Sequence, residues 1–95
     1  MKRNVDNSNM VTVEFYGVPR QRAGLSELAV PAGSLADVLA AIEESCPKLA
    51  GLVGRQGRLA PQYLLSLNGD EFVSDMEQRI RPGDRVLLLS ADAGG

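Results

Sequence analysis

Four apolar residues, Val86, Leu87, Leu88 and Leu89, stand in succession near the end of the chain. Successive side chains of a strand point to opposite faces of its sheet, so a strand built from this run carries apolar groups on both faces and belongs in the middle of the sheet. The chain has 95 residues, about one small domain with one core, so the sheet around this strand is the whole architecture. In a mixed sheet this last strand lies beside the first only if the two run parallel, with a helix crossing one face between them. One helix covers one face of so small a sheet and leaves the other open.

The rest of the chain supplies the parts. Val11, Val13 and Phe15 alternate with Thr12, Glu14 and Tyr16, the period of a half-buried strand, which Gly17 and Pro19 stop. A polar loop is expected over 17–24, then a second strand in which Leu28 and Val30 alternate with Glu27 and Ala29 up to Pro31. These two strands are expected to form a hairpin. Ser34 is placed as an N-cap with Asp37 three residues on, close to a capping box but with Asp where Glu or Gln is usual. Behind it Leu35, Val38, Leu39, Ile42 and Cys46 recur at spacings of three and four and form one stripe, while Asp37, Glu43 and Glu44 face water and Pro47 ends the helix. Leu49, Leu52 and Val53 suggest another short helical turn, and 54–61 a surface loop with little to bury.

A third strand is expected at 63–67, followed by a tight turn at Asn68-Gly69, because a type I′ turn needs positive φ at both central positions. A short fourth strand at 71–73 pairs back. Residues 75–80 connect irregularly with Ile80 as core anchor, and Arg81, Pro82, Gly83 and Asp84 turn the chain into the last strand at 85–89. The order is ββαβββ. The fold class is therefore α+β, a mixed sheet of four to five strands crossed by one main helix.

Around this domain, 10–89, lie two short ends. Residues 1–9 are rich in Asn with only Val5 worth burying, and are expected to form a flexible extension. Met10 stands directly before the first strand and is a second candidate start. Residues 90–95 form a tail of small residues ending in Gly94-Gly95.

Composition removes whole classes of chemistry. The chain has no histidine and a single cysteine, Cys46, so it lacks the commonest general base and metal ligand and cannot build a zinc, iron–sulfur or intrachain disulfide site. No Ser/Cys–base pair suggests a nucleophile, and no catalytic or metal-binding residue is assigned. A net charge of −2 gives no basic stripe for nucleic acid. No stretch reaches the roughly 20 apolar residues that span a bilayer, and a lone thiol suits a reducing compartment, so the cytoplasm is the expected location.

Three features remain as candidate sites. Gly94 and Gly95 lack a Cβ, so this end can enter a narrow channel in extended form and present its carboxylate to an activating enzyme, although glycine ends are also common as frayed tails. Strand parity puts Tyr16, Leu87 and Leu89 together on the face opposite Val13, Phe15, Val86 and Leu88, with Phe72 beside them. Such an apolar patch marks a docking site unless a loop or a second copy covers it. With the tail residues Ser90, Ala91, Asp92 and Ala93 these make up the expected partner-binding set. Cys46, by contrast, lies on the helix stripe and reads as a small buried hydrophobe, and Arg20, Arg22, Arg55 and Arg58 read as solvated loop charges.

Val13 to Tyr16 followed by Gly17 and Arg20, the helix entry from Ser34 to Leu39, Leu67-Asn68-Gly69, the run from Arg81 to Val86 and the Gly94-Gly95 end together resemble the MoaD/ThiS family of β-grasp, ubiquitin-like sulfur carriers, over about residues 10–95. The length and the segment from Tyr63 onward look more like the MoaD branch, although MoaD-like tails often carry prolines where this chain has Ser90-Ala91. The resemblance implies that an E1-like adenylating enzyme uses ATP to activate the Gly95 carboxylate and that a sulfur donor enzyme converts it to a thiocarboxylate. In the MoaD branch the sulfur goes to a molybdopterin precursor held by the large subunit of molybdopterin synthase. It implies no permanently bound cofactor. Three alternatives remain open at this point: sulfur supply for thiamin, a tRNA base or cysteine; a ubiquitin-like modifier joined to lysines through Gly95; and a β-grasp binding module with an incidental Gly-Gly end. A β-grasp ferredoxin is excluded by the single cysteine, since its cluster needs four thiolates.

Overall fold

The computed structural model describes residues 9–54 and 57–91. Most of the extension expected over 1–9, together with Arg55, Asp92, Ala93, Gly94 and Gly95, lies outside the described residues. Five strands form the main sheet in the order β2-β1-β7-β4-β5. β1 (Met10–Phe15) pairs antiparallel with β2 (Glu27–Pro31), and β7 (Arg85–Ser90) pairs parallel with β1. On its other side β7 pairs antiparallel with β4 (Tyr63–Leu67), which carries the two-residue strand β5 (Glu71–Phe72) at its edge. The doubly apolar strand is thus central, as its sequence requires.

Helix α2 (Leu35–Ser45) crosses one face of the sheet. The Ser34 hydroxyl accepts the Asp37 N–H at 3.2 Å, and the Ser34 N–H donates to Asp37 Oδ2 at 3.1 Å, so the shorter acid closes the capping box. Gly33 precedes it because a Cβ there would meet that Asp37 oxygen at 2.7 Å. Leu35, Val38, Leu39 and Ile42 are fully buried against Val11, Val13, Phe15, Leu65, Val86 and Leu88. Each such side chain contributes about 1.5–3 kcal/mol on burial, against a total stability of about 5–15 kcal/mol.

Four expectations need correction. The 17–24 segment is a helix, α1 (Val18–Ala23), rather than a loop. Pro19 fits its first turn, where a missing N–H costs nothing, Gly24 ends it in the left-handed region at φ 73°, and Arg20 and Arg22 lie in its last turn, where cations complement the helix dipole. With Pro19 as its one buried residue, it has no periodic stripe to announce it. Residues 54–61 are not bare surface either, since Leu59 and Ala60 are buried among the core residues. The turn after α2 is a 3-10 turn at Pro47–Leu49 only. Leu52 is buried beyond it, whereas Val53 is exposed and bridges to Leu59. Glu43, expected in water, accepts the N–H groups of Gly51 and Leu52 at 3.0 and 2.8 Å and pins that segment to the helix.

Two elements appear that periodicity could not show. β3 (Gly33–Ser34) and β6 (Arg79–Ile80) form a second, two-stranded sheet that ties the start of α2 to the connection before β7 and seats Ile80 in the core. The Asn68-Gly69 turn has positive φ at both positions, 54° and 72°. Asn68 also accepts the Arg85 N–H and donates to Asp84, whose other oxygen accepts the Arg81 N–H, so side chains lock the two turns flanking the central strand to each other.

Candidate functional site: the open sheet face

α2 covers the sheet on the side of Val13, Phe15, Leu65, Val86 and Leu88. Cross-strand partners share a face, and the register therefore defines the other side residue by residue. Leu87 pairs with Glu14 and Ser66, Leu89 pairs with Leu64, and Ser66 pairs in turn with Phe72. Tyr16 follows directly on β1, with its N–H donating to the Leu88 carbonyl at 3.0 Å, which sets it beside the end of β7. An apolar band thus runs across the sheet from Tyr16 through Leu89, Leu87 and Leu64 to Phe72. Tyr16 is 55% and Phe72 65% exposed, the others are half-buried, and no described helix or loop covers the band.

One flank of the band is charged. Arg85 is ion-paired with Glu14 and, at 3.1 Å, with Glu27, and these three residues lie on the open face of β7, β1 and β2. The hydrogen bond that Arg85 donates to the Glu14 carboxylate, and that carboxylate's negative charge, hold the pKa of the guanidinium above its ordinary value. The opposite flank, past Phe72, opens into a groove of about 750 Å³ that Gly51, Gly54 and residues 58–62 line on one side and residues 72–74 on the other.

The structure brings together Tyr16, Phe72, Leu87 and Leu89 on this face. Ser90, the last residue of β7, pairs with Tyr63 and has the parity of the covered side, and the Ala91 N–H donates to the Gln62 carbonyl at 2.8 Å at the groove's rim. Asp92, Ala93, Gly94 and Gly95 lie outside the described residues. Leu64 completes the band, and Ser66, buried at 8% exposure, shares its face between Leu87 and Phe72; both were absent from the expected set. Alternation within 63–67 put them on the face opposite Leu65, but only the pairing with β7 shows which face that is.

The remaining chemistry of the described residues is sparse. Cys46 is buried in the core beneath α2, where desolvation pushes its thiol above the ordinary value. No group of three or more Cys, Asp or Glu among the described residues is arranged to hold a metal ion, and no described helix is long and apolar enough to cross a membrane.

No protein-family model matches the sequence, and no curated protein matches it. Solved structures do. The small archaeal modifier protein 1 from Methanosarcina acetivorans superposes with a TM-score of 0.73 at 21% identity, covering 90% of this chain and 96% of that one. A chain of the BexX/CysO complex from Amycolatopsis orientalis gives 0.75 at 21% identity, over 90% and 99%. A putative molybdopterin converting factor subunit 1 from Pyrococcus furiosus gives 0.68 at 22% identity, over 87% and 98%. With its strand order and crossing helix, the chain has the β-grasp, ubiquitin-like fold that its resemblance to the MoaD/ThiS family implies.

Proposed function

We propose that this chain is a cytoplasmic sulfur carrier that docks through its open sheet face and works through the carboxylate of Gly95. One observation carries the reading: the central strand β7 ends at the rim of an uncovered apolar band, so a partner seated on Tyr16, Leu87, Leu89 and Phe72 meets the chain where it leaves the sheet. A carboxylate resists nucleophiles because its charge and resonance oppose attack. Attack of the Gly95 carboxylate on the α-phosphorus of ATP forms an acyl-adenylate and releases pyrophosphate. A sulfide equivalent from a sulfur donor enzyme then adds at the acyl carbon, the carbon–oxygen bond to AMP breaks, and a thiocarboxylate remains. Its sulfur is the nucleophile passed onward. Gly94 and Gly95 supply narrowness, the folded domain supplies recognition, and the catalytic groups belong to the E1-like adenylating enzyme and to the acceptor enzyme.

For the acceptor, the large subunit of a molybdopterin synthase is the favoured partner. The likeness to a molybdopterin converting factor subunit supports it, as does the run of sequence from Tyr63 to Val86. A second reading, conjugation of Gly95 to lysines of other proteins, draws support from the likeness to an archaeal modifier. The test is adenylation by an E1-like enzyme, read as ATP-dependent pyrophosphate release, with intact-mass detection of oxygen replaced by sulfur at the C-terminus. We expect both signals from the free chain and neither from a chain extended beyond Gly95. If a permanently C-terminally tagged protein still complements a carrier-deficient strain, the role given to Gly95 is wrong. Higher-mass lysine adducts in place of the thiocarboxylate would select the modifier reading.

A further inference from the structure

β5 ends at Phe72, so beyond the pairs Ser66–Phe72 and Leu67–Glu71 the outer edge of β4 faces the groove. Its volume of about 750 Å³ lies within the roughly 300–1,000 Å³ of ligand-binding sites. Pro61, Leu64 and Phe72 give it apolar walls, and Arg58 is the one charged side chain among the described residues that line it. One Nη of Arg58 donates to Ser74 Oγ at 2.9 Å, which steadies the guanidinium. Among the described residues Arg58 has no ion pair. Asp75 bridges to it through the backbone, but one of its carboxylate oxygens accepts the Glu77 N–H. Arg58 is exposed on the lining of this groove, and a guanidinium there, with five N–H donors in a planar fork and no counter-ion among the described residues, is complementary to a carboxylate.

The groove does not invite an added strand. The Tyr63 N–H is taken by the Ala60 carbonyl at 3.0 Å and the Leu65 carbonyl by the Val73 N–H at 2.9 Å, so recognition falls to side chains. Leu64 and Phe72 belong both to the groove and to the open face, which makes the two surfaces continuous. We infer that the groove receives an acidic peptide segment of the protein docked on the open face, with an apolar side chain against Pro61, Leu64 and Phe72 and a carboxylate on Arg58. The inference rests on the reading of that face as a docking surface and adds the chemistry of the partner.

The experiment titrates the full ¹⁵N-labelled chain with the probe peptide acetyl-Leu-Glu-Phe-Glu-Leu-amide and with versions carrying Gln or Lys in place of both Glu residues. The expected result is saturable shifts of Arg58, Leu64, Phe72 and Ser74 amides with the Glu peptide in the high-micromolar to low-millimolar range. Binding of the Gln peptide should be about tenfold weaker, as loss of one charge-assisted hydrogen bond implies, with none for the Lys peptide. Arg58→Ala should weaken the Glu peptide by about the same factor while its melting curve stays unchanged. Equal binding of the Gln peptide, shifts confined to Tyr16, Leu87 and Leu89, or no binding at all overturns the inference. The docking role of the face is read separately, from partner capture by Leu89→Asp, so either reading can fail without the other.

Discussion

At the scale of single residues, the molecule spends its few polar side chains on holding backbone in place. Asp37, Glu43, Asn68 and Asp84 each bond main-chain N–H groups at a helix start, a loop or a turn, where unsatisfied donors would otherwise be costly. Cys46 follows the opposite logic, since burial disfavours its charged form and raises its pKa. The unfolded chain ionises this thiol first, so its neutral form contributes stability fully below about pH 8.5 and loses that contribution as pH climbs from there toward the higher folded value. We therefore expect alkylation of Cys46 by iodoacetamide at pH 8 to be at least about tenfold slower than in the denatured chain. A time course followed by intact mass checks this, and equal rates would mean that the thiol is open to solvent.

At the scale of elements, β7 decides both stability and recognition, because consecutive leucines in it serve opposite faces. Leu88 is fully buried under α2, while Leu87 and Leu89 are half-buried on the open side. Leu88→Asp places an unpaired charge in the core and should leave no cooperative unfolding transition in circular dichroism. Leu89→Asp should keep the fold to within about 1 kcal/mol and abolish capture of an E1-like partner, since that interface would have to desolvate the new carboxylate. Unfolding of Leu89→Asp would reverse the assignment of faces, and undiminished capture would move the docking site elsewhere. Helix α1 adds a lesson about short elements. Six residues with one buried anchor carry too little apolar signal for periodicity, and Gly17, Pro19 and Gly24, which read as loop punctuation, are its start, first turn and cap.

At the scale of the whole molecule, the parallel pairing of first and last strands brings both ends of the domain into the main sheet. The Asn9 carbonyl accepts the Ala32 N–H at 2.7 Å and the Met10 carbonyl accepts the Gly83 N–H at 2.9 Å, so Asn9, expected in the extension, is tied to the domain, whereas residues 1–8 offer only Val5 for burial by their sequence. Removal of residues 1–8 should leave the thermal melt unchanged. Removal of 1–9 should cost about 1 kcal/mol, a shift of roughly 4–8 °C for a domain this size. Superimposable melts of all three forms would show that the Asn9 contact contributes nothing.

The amino-acid sequence alone determined what depends on near neighbours. Alternation set the strands, the three-and-four spacing behind Ser34 set the helix, Asn68-Gly69 set its turn, and the run from Val86 to Leu89 set the central strand and with it the mixed sheet. The open face was legible because one helix can cover only one face: with Val13 and Phe15 of the first strand and Val86 and Leu88 of the last turned toward it, parity in each strand leaves Tyr16, Leu87 and Leu89 to the other face. Tertiary structure alone decided how strands register against each other, and so it alone added Leu64 and Ser66 to the open face, buried Leu59 and Ala60, paired β3 with β6 and set Arg58 on the lining of the groove. Each of those depends on contacts between segments distant in the chain, and no local period encodes which distant backbone a short or polar segment will meet.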